Sequence, residues 1–122
     1  MQLTRETPEF RYTIRAVDPG GVTVNDRRLE RSFFLTPGTL VEDWAPSDPA
    51  AMVPADLEPL LALRPAVVLL GTGPRLRFPP AAVMAACLSR GIGLEAMDNG
   101  AAARTFTVLA GEGRNVVAGF LL

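Results

Sequence analysis

The second half of the chain alternates strand patterns with helix patterns, and this alternation constrains the fold more than any other feature. Val67–Leu70 is a continuous run of valine and leucine, typical of a strand that is covered on both faces. Ile92–Met97 and Val116–Leu121 are two further predicted strands. A helix pattern lies between each strand and the next. The order β-α-β-α-β favours parallel strands joined by right-handed crossovers.

The two predicted helices have recognisable ends. The first is predicted to begin at about Pro80, because proline suits the first helical position, and to end at Gly91. The second is predicted from about Gly100 to Ala110, with Asp98 or Asn99 as its N-cap. The residues predicted to face the core are Val83, Met84, Cys87 and Leu88 in the first helix and Ala102, Phe106, Leu109 and Ala110 in the second.

The N-terminal third predicts a small antiparallel meander. Arg11–Val17 alternates polar and apolar residues, Val22–Val24 resumes the extended pattern, and Arg31–Leu35 is predicted to be the third strand. Asp18–Gly21 and Asn25-Asp26 supply the turn residues between these segments.

Between the two halves the pattern is weaker. Residues 39–53 have no clean period, and a short helix is predicted from Pro54 until Pro65 stops it. We therefore predict one three-layer α/β domain over residues 10–122, in which an N-terminal antiparallel meander precedes a mostly parallel core. Residues 1–9 are predicted to be a polar lead-in.

The composition excludes many kinds of chemistry. All 12 basic residues are arginine, with neither lysine nor histidine, so Schiff-base catalysis, Ser-His or Cys-His activation and histidine metal sites are excluded. The single cysteine, Cys87, cannot form an internal disulfide or a thiolate metal site and is expected to be an inert core residue. A net charge of −1 without a basic run argues against nucleic-acid binding. No metal or cofactor is expected.

The sequence also predicts where the protein acts. No apolar run approaches the roughly 20 residues that cross a bilayer, so direct membrane insertion is not expected. Met1–Phe10 is polar and includes Glu6 and Glu9, which matches neither a signal peptide nor a transit peptide. We expect a bacterial, cytoplasmic protein.

The strongest candidate for a binding site follows the first parallel strand. Gly71, Thr72 and Gly73 lie where open α/β sheets place ligands, and their amide groups, with Arg75 or Arg77, are suited to an anion. The alternative is that the glycines only allow a tight turn. The segment is not a dinucleotide fingerprint, because a third glycine is missing and the helix begins later.

Further candidates follow the next strand. Asp98 and Asn99 are expected at the same edge of the sheet, as helix caps, as ligand contacts or as both. Arg104 is expected to pair with Asp98, Glu95 or Glu112, or with a bound anion, because a cation early in a helix is otherwise unfavourable. Thr105 either lines the same cleft or bonds back to the preceding turn.

The only tryptophan, Trp44, lies in the irregular segment between an acidic pair and two prolines. It has two interpretations: it plugs the edge of the core, or it is exposed as an anchor for a protein partner, since tryptophan is enriched at interface hot spots.

Taken in order, several segments of the chain resemble a small α/β family that includes mitochondrial complex I assembly factor 3 and many bacterial proteins. The segments that carry this resemblance are Gly21–Asn25, Phe33–Gly38, Trp44, Leu70–Gly73, Arg77–Pro80, Arg90–Asp98, Ala102–Leu109 and Glu112–Arg114. Two positions depart from the family pattern: Ala103 stands where relatives often have cysteine, and Thr107 where they often have asparagine. The first departure removes any argument for thiol chemistry here.

The resemblance implies a three-layer α/β fold and, for the mitochondrial members, a scaffold role in assembling a membrane complex. Some bacterial members are similar to proteins encoded beside protein-export genes, and the family has no established catalytic residues. Our first hypothesis is therefore a non-enzymatic binding or assembly factor with a protein partner, such as a component of a membrane complex or of protein export. The second is a small-molecule or anion-binding domain, or a weak enzyme, that uses the cleft at Gly71–Gly73.

Overall fold

The computed structural model describes residues 10–122, which form one domain of mixed α/β structure. The predicted lead-in, residues 1–9, lies outside the described residues. In chain order the described elements are β1 (Ile14–Asp18), β2 (Gly21–Val24), β3 (Arg27–Leu29), β4 (Phe33–Thr36), β5 (Thr39–Val41), α1 (Glu58–Leu61), β6 (Val67–Gly71), α2 (Ala81–Leu88), β7 (Gly93–Met97), α3 (Asn99–Gly111) and β8 (Val116–Phe120).

The strands form two sheets. The small sheet is an antiparallel meander in the order β1-β2-β3, and the large sheet has the order β5-β4-β8-β6-β7. Strand β6 lies between β8 and β7 and is parallel to both, whereas β4 pairs antiparallel with β8 and with β5. This arrangement confirms the predicted α/β domain with an N-terminal meander and a parallel core.

Both faces of the large sheet are covered. Its strands direct apolar side chains alternately to the two faces, and each face forms a separate apolar core. In β6, Val68 and Leu70 pack with residues of α1 and α2, whereas Leu69 packs with α3 and the small sheet. All of these strand residues are fully buried. A strand that is apolar at every position is stable only where both faces are covered, as predicted for this segment.

The assignment of the third strand was wrong. Asn25-Asp26 is a two-residue turn with Asn25 at φ 53°, and it pairs Val24 with Arg27, so the third strand of the meander is β3, not Arg31–Leu35. Phe33–Thr36 instead joins the large sheet as β4. Its residues Phe33, Phe34 and Leu35 are all buried, which requires cover on both faces.

Smaller differences occur elsewhere. The pattern did not predict β5, which follows β4 across the tight turn at Pro37-Gly38. The predicted helix after Pro54 begins as a 3-10 turn, Pro54–Leu57, and continues as the short α1. Leu88 was assigned to the core but is 65% exposed at the end of α2. None of the described helices is both long and apolar enough to cross a membrane.

Candidate functional site

The end of β6 and the start of α3 meet at the buried side chain of Asn99. Its Oδ1 accepts a hydrogen bond from the Gly73 amide at 3.1 Å, and its Nδ2 donates to the Leu121 carbonyl at 3.2 Å. Its own amide donates to the Gly73 carbonyl at 2.8 Å. Asn99 is only 4% exposed. Its bonds therefore join the ends of β6 and β8 to the start of α3 inside the protein.

The amide groups of the glycine loop are bonded within the protein. The Thr72 amide donates to the Met97 carbonyl at 2.8 Å, and the Gly73 amide is held by Asn99. A Cβ on Gly71 would overlap Asn99 Oδ1 and approach Phe120 closely, so glycine is required there by packing. Gly73 has φ +100°, a conformation that glycine adopts without strain. This geometry favours the tight-turn interpretation of Gly71–Gly73 over an anion cradle.

The loop between β6 and α2 is held in one conformation by Thr72. Its buried hydroxyl donates to the Arg75 carbonyl at 2.8 Å and accepts from the Arg77 amide at 3.0 Å. The Arg77 guanidinium forms an ion pair with Asp48 at 3.1 Å. The exposed side chain of Arg75 has no ion-pair partner within residues 10–122. Hydrogen bonds to Thr72 therefore fix the path of the loop from Thr72 to Arg77.

The same loop presents two large apolar side chains to solvent. Leu76 is 49% exposed and Phe78 is 64% exposed, on either side of Arg77. Neither residue was predicted to belong to a site. Their signal was available, because large apolar residues in a Pro-rich loop outside any periodic pattern have no predicted core to enter.

Asp98 and Arg104 do not form the ion pair that was expected of them. Asp98 is the N-cap of α3, and its carboxylate accepts from the Ala101 amide at 2.8 Å. Arg104 is exposed and forms no ion pair with any residue of the described chain, so the predicted pairing with Asp98, Glu95 or Glu112 was wrong. The carboxylate of Asp98 is oriented by the helix end instead.

Threonine hydroxyls on α3 also differ from the prediction. Thr107, not Thr105, bonds back to the preceding turn, since its hydroxyl donates to the Ala103 carbonyl at 3.0 Å. Thr105 is half-buried, and its hydroxyl has no hydrogen-bond partner among the described residues.

Trp44 is part of the core, which agrees with the first of its two interpretations. It is 7% exposed, its Nε1 donates to the Asp56 carbonyl at 2.8 Å, and its ring meets Phe34 edge-on with centroids 6.0 Å apart. The ring covers Gly119 so closely that any Cβ there would lie 2.6 Å from it. Trp44 therefore does not offer an exposed anchor.

The described residues contain no group of acidic and cysteine side chains that could hold a metal ion. Within them, every buried side-chain nitrogen and oxygen has a hydrogen-bond partner. Burial raises the pKa of the Cys87 thiol, which keeps it protonated and unreactive. At the end of β6 and the start of α3, the polar groups of Thr72, Asp98 and Asn99 therefore stabilise the local fold through hydrogen bonds within the protein.

Comparison with known proteins agrees with this fold. The family model described as "Protein of unknown function (DUF498/DUF598)" matches residues 14–121. XCC1710 of Xanthomonas campestris is 50% identical, with 99% of this chain and 92% of that one covered and a TM-score of 0.86. No curated protein matches the sequence.

Two further solved structures share the fold at lower identity. A protein of Bordetella pertussis, described as a Mth938-like domain, is 28% identical, with 99% of this chain and 92% of that one covered and a TM-score of 0.80. A protein of Bartonella henselae, described as an outer membrane protein, is 28% identical, with 95% of this chain and 98% of that one covered and a TM-score of 0.79.

Proposed function

This chain belongs to the protein family of unknown function DUF498/DUF598, and from that premise we propose that it is a non-enzymatic binding protein acting through protein–protein contacts. The observation that carries the proposal is the exposure of Leu76 and Phe78 on a loop with a fixed path. Large apolar side chains that are exposed close together on one loop favour a surface that binds another protein.

The fixed loop matters for affinity. A flexible loop loses conformational entropy when it binds, at about 0.5–1.5 kcal/mol for each immobilised side chain that has many rotamers. The Thr72 hydroxyl bonds the Arg75 carbonyl and the Arg77 amide, so it holds the backbone on either side of Leu76 before any partner arrives. The backbone that carries Leu76 is therefore ordered in advance, and Leu76 with the nearby Phe78 is suited to fill a pocket on another protein.

The absence of histidine and lysine supports a binding role over catalysis, as does the internal bonding of the Thr72 and Gly73 amides. An anion at that loop would have to displace the Gly73–Asn99 hydrogen bond. For this reason the small-molecule alternative is not the one that the geometry favours.

The partner's nature is a finer part of the same proposal. The resemblance to complex I assembly factor 3 supports a component of a membrane complex or of protein export as the partner, met at the cytoplasmic side. The Bartonella henselae neighbour described as an outer membrane protein is a second reason to search among membrane-associated proteins. Cytoplasmic location rests on the sequence pattern and is tested by cell fractionation.

Site-specific photo-crosslinking in living cells tests the proposal. The full chain carries p-benzoylphenylalanine in place of Phe78, and we expect a discrete crosslinked product that mass spectrometry identifies as one protein. The matched control carries the same group in place of Val41, an exposed residue on the edge strand β5. A second variant adds Leu76→Asp, which places a charge on the loop without touching the core.

We expect one crosslinked product from position 78 and no such product from position 41. Leu76→Asp is expected to abolish the product from position 78 and to leave the melting temperature unchanged. If position 78 gives no product, or both positions give the same products in equal yield, the loop is not a binding surface and the proposal fails.

A further inference from the structure

A groove of about 600 Å³ lies on a different part of the surface, between strand β1 and helix α3. Its β1 wall is the segment Ile14–Val17, and its α3 wall includes Ala103, Arg104, Thr107 and Val108. The volume falls within the range of about 300–1,000 Å³ that is usual for ligand sites. Most of the lining is apolar, and Val108 is among the exposed apolar residues of the chain.

The groove runs along the open edge of β1. Successive side chains of a strand point to opposite faces, so a groove above one face would touch only alternate residues. This groove touches four consecutive residues, Ile14–Val17, which places it along the strand's edge. Strand β1 is an edge of the small sheet, and no strand of residues 10–122 pairs with its outer side.

A bulge in β1 places Arg15 at this edge. Ile14 pairs with Val24 and Ala16 with the adjacent Thr23, so Arg15 is the extra residue of the bulge and faces no partner in β2. Bulges bend the strand and redirect the side chain of the extra residue, and they occur often beside functional sites. Here the redirected residue is one of the lining residues of the groove.

The charged groups of the groove are both positive. Arg15 and Arg104 line it, no aspartate or glutamate does, and neither arginine forms an ion pair within the described chain. Two carboxylates lie close by: Asp18, at the end of β1, is bound by Arg28 at 2.6 Å, and Asp98, beside Gly100, accepts from the Ala101 amide and forms no ion pair with Arg104. An occupant that matches this wall carries negative charge.

We propose that this groove binds an extended acidic peptide segment of a partner protein, added as a strand beside β1. The backbone edge of β1 offers main-chain hydrogen bonds to an extended chain, as in β-strand addition. Five strand residues span about 17 Å, so the segment is about five residues long. Apolar side chains of the peptide pack on Ala103 and Val108, and its carboxylates pair with Arg15 and Arg104.

Selection from a random nonapeptide library displayed on phage, with the full chain as target, tests this inference. We expect the selected peptides to alternate apolar residues with glutamate or aspartate. A synthetic, fluorescein-labelled consensus peptide then provides a binding constant by fluorescence polarisation. Arg15→Glu and Arg104→Glu are each expected to weaken that binding about tenfold or more, since a charge-assisted contact is lost and a repulsive one is gained.

The control is Arg114→Glu, which makes the same charge change at an exposed position outside the groove and leaves binding within about twofold. Amide NMR shifts on peptide addition are expected at Ile14–Val17 and on the groove side of α3. Selected peptides without acidic residues, an equal loss with Arg114→Glu, or shifts elsewhere would each overturn the inference. So would a concentration-dependent dimer that Arg15→Glu dissociates, because the occupant would then be a second copy. Crosslinking at position 78 does not depend on Arg15, so the two proposals fail separately.

Discussion

Asn99→Ala is expected to destabilise the protein where the ends of β6 and β8 meet the start of α3. The change removes the side-chain acceptor of the Gly73 amide and the side-chain donor to the Leu121 carbonyl, both inside the protein. A buried polar group left without a partner costs about 1–3 kcal/mol, so the two together cost about 2–6 kcal/mol. Because the free energy of unfolding of a domain this size is about 5–15 kcal/mol, the loss is large.

Urea denaturation, monitored by circular dichroism, measures the loss of unfolding free energy. With a slope of about 2 kcal/mol per M, the midpoint is expected to fall by about 1–3 M. The matched control is Asn115→Ala, since Asn115 donates to the Arg64 carbonyl at 2.7 Å but lies at the exposed surface. There water replaces the lost bond, and we expect a cost below about 1 kcal/mol.

Asn99→Asp separates the two hydrogen bonds. An ionised carboxylate still accepts from the Gly73 amide but repels the Leu121 carbonyl, whereas a protonated carboxyl can donate to it. Burial and this repulsion raise the carboxyl pKa in the folded protein, so its stabilisation is present at acid pH and lost as pH rises through that value. If Asn99→Ala costs no more than Asn115→Ala, or if the stability of Asn99→Asp is flat from about pH 4 to about pH 7, the buried network does not hold the strand end.

Three further outcomes are expected. Gly119→Ala places a Cβ 2.6 Å from the Trp44 ring and should cost about 1–3 kcal/mol, with a red shift of the Trp44 emission; an unchanged spectrum and melting temperature would contradict the packing. Hydrogen bonds from Arg28 and then from the Gly20 amide hold the Asp18 pKa at about 2, so its stabilisation is complete above the ordinary value of 3.8 and is lost as pH falls through about 2. Arg28→Ala should raise that pKa toward 3.8 in a carboxyl NMR titration, and a titration that does not move would refute the pairing. Cys87, whose pKa is raised by burial, should react with a thiol reagent only on unfolding, so rapid labelling of the native protein would be inconsistent with its position.

Local signals predicted the parallel core well. The apolar run at Val67–Leu70 marked β6, and Pro80 and Gly91 marked the limits of α2 to within a few residues. The sequence offered Asp98 or Asn99 as the cap of α3, and Asp98 is the N-cap. Each of these signals acts within a few residues, which is why they can be recognised without knowing the rest of the fold.

The roles of individual candidate residues were harder to predict. Trp44 and Leu88 are both apolar, yet Trp44 lies in the core and Leu88 lies exposed at the end of α2. The period of α2 placed Leu88 on the same face as the buried Val83 and Cys87, and periodicity alone does not show which residues of a face are covered. For Arg104, the sequence offered three acidic partners, and within the described chain it forms an ion pair with none of them.

The sequence by itself determined the α/β class, the order of the elements in the second half and the exclusion of lysine and histidine chemistry, because these depend on residue type and on periods of a few residues. Only the tertiary structure decided that Phe33–Thr36 joins the large sheet, that Asn99 accepts a hydrogen bond from the Gly73 amide, and that Arg15 and Arg104 line one groove. Those contacts join residues far apart in the chain. They form because a buried polar group needs a hydrogen-bond partner and an apolar face must be packed against another element. Which residue provides that partner or that packing depends on how the distant segments are arranged in the fold.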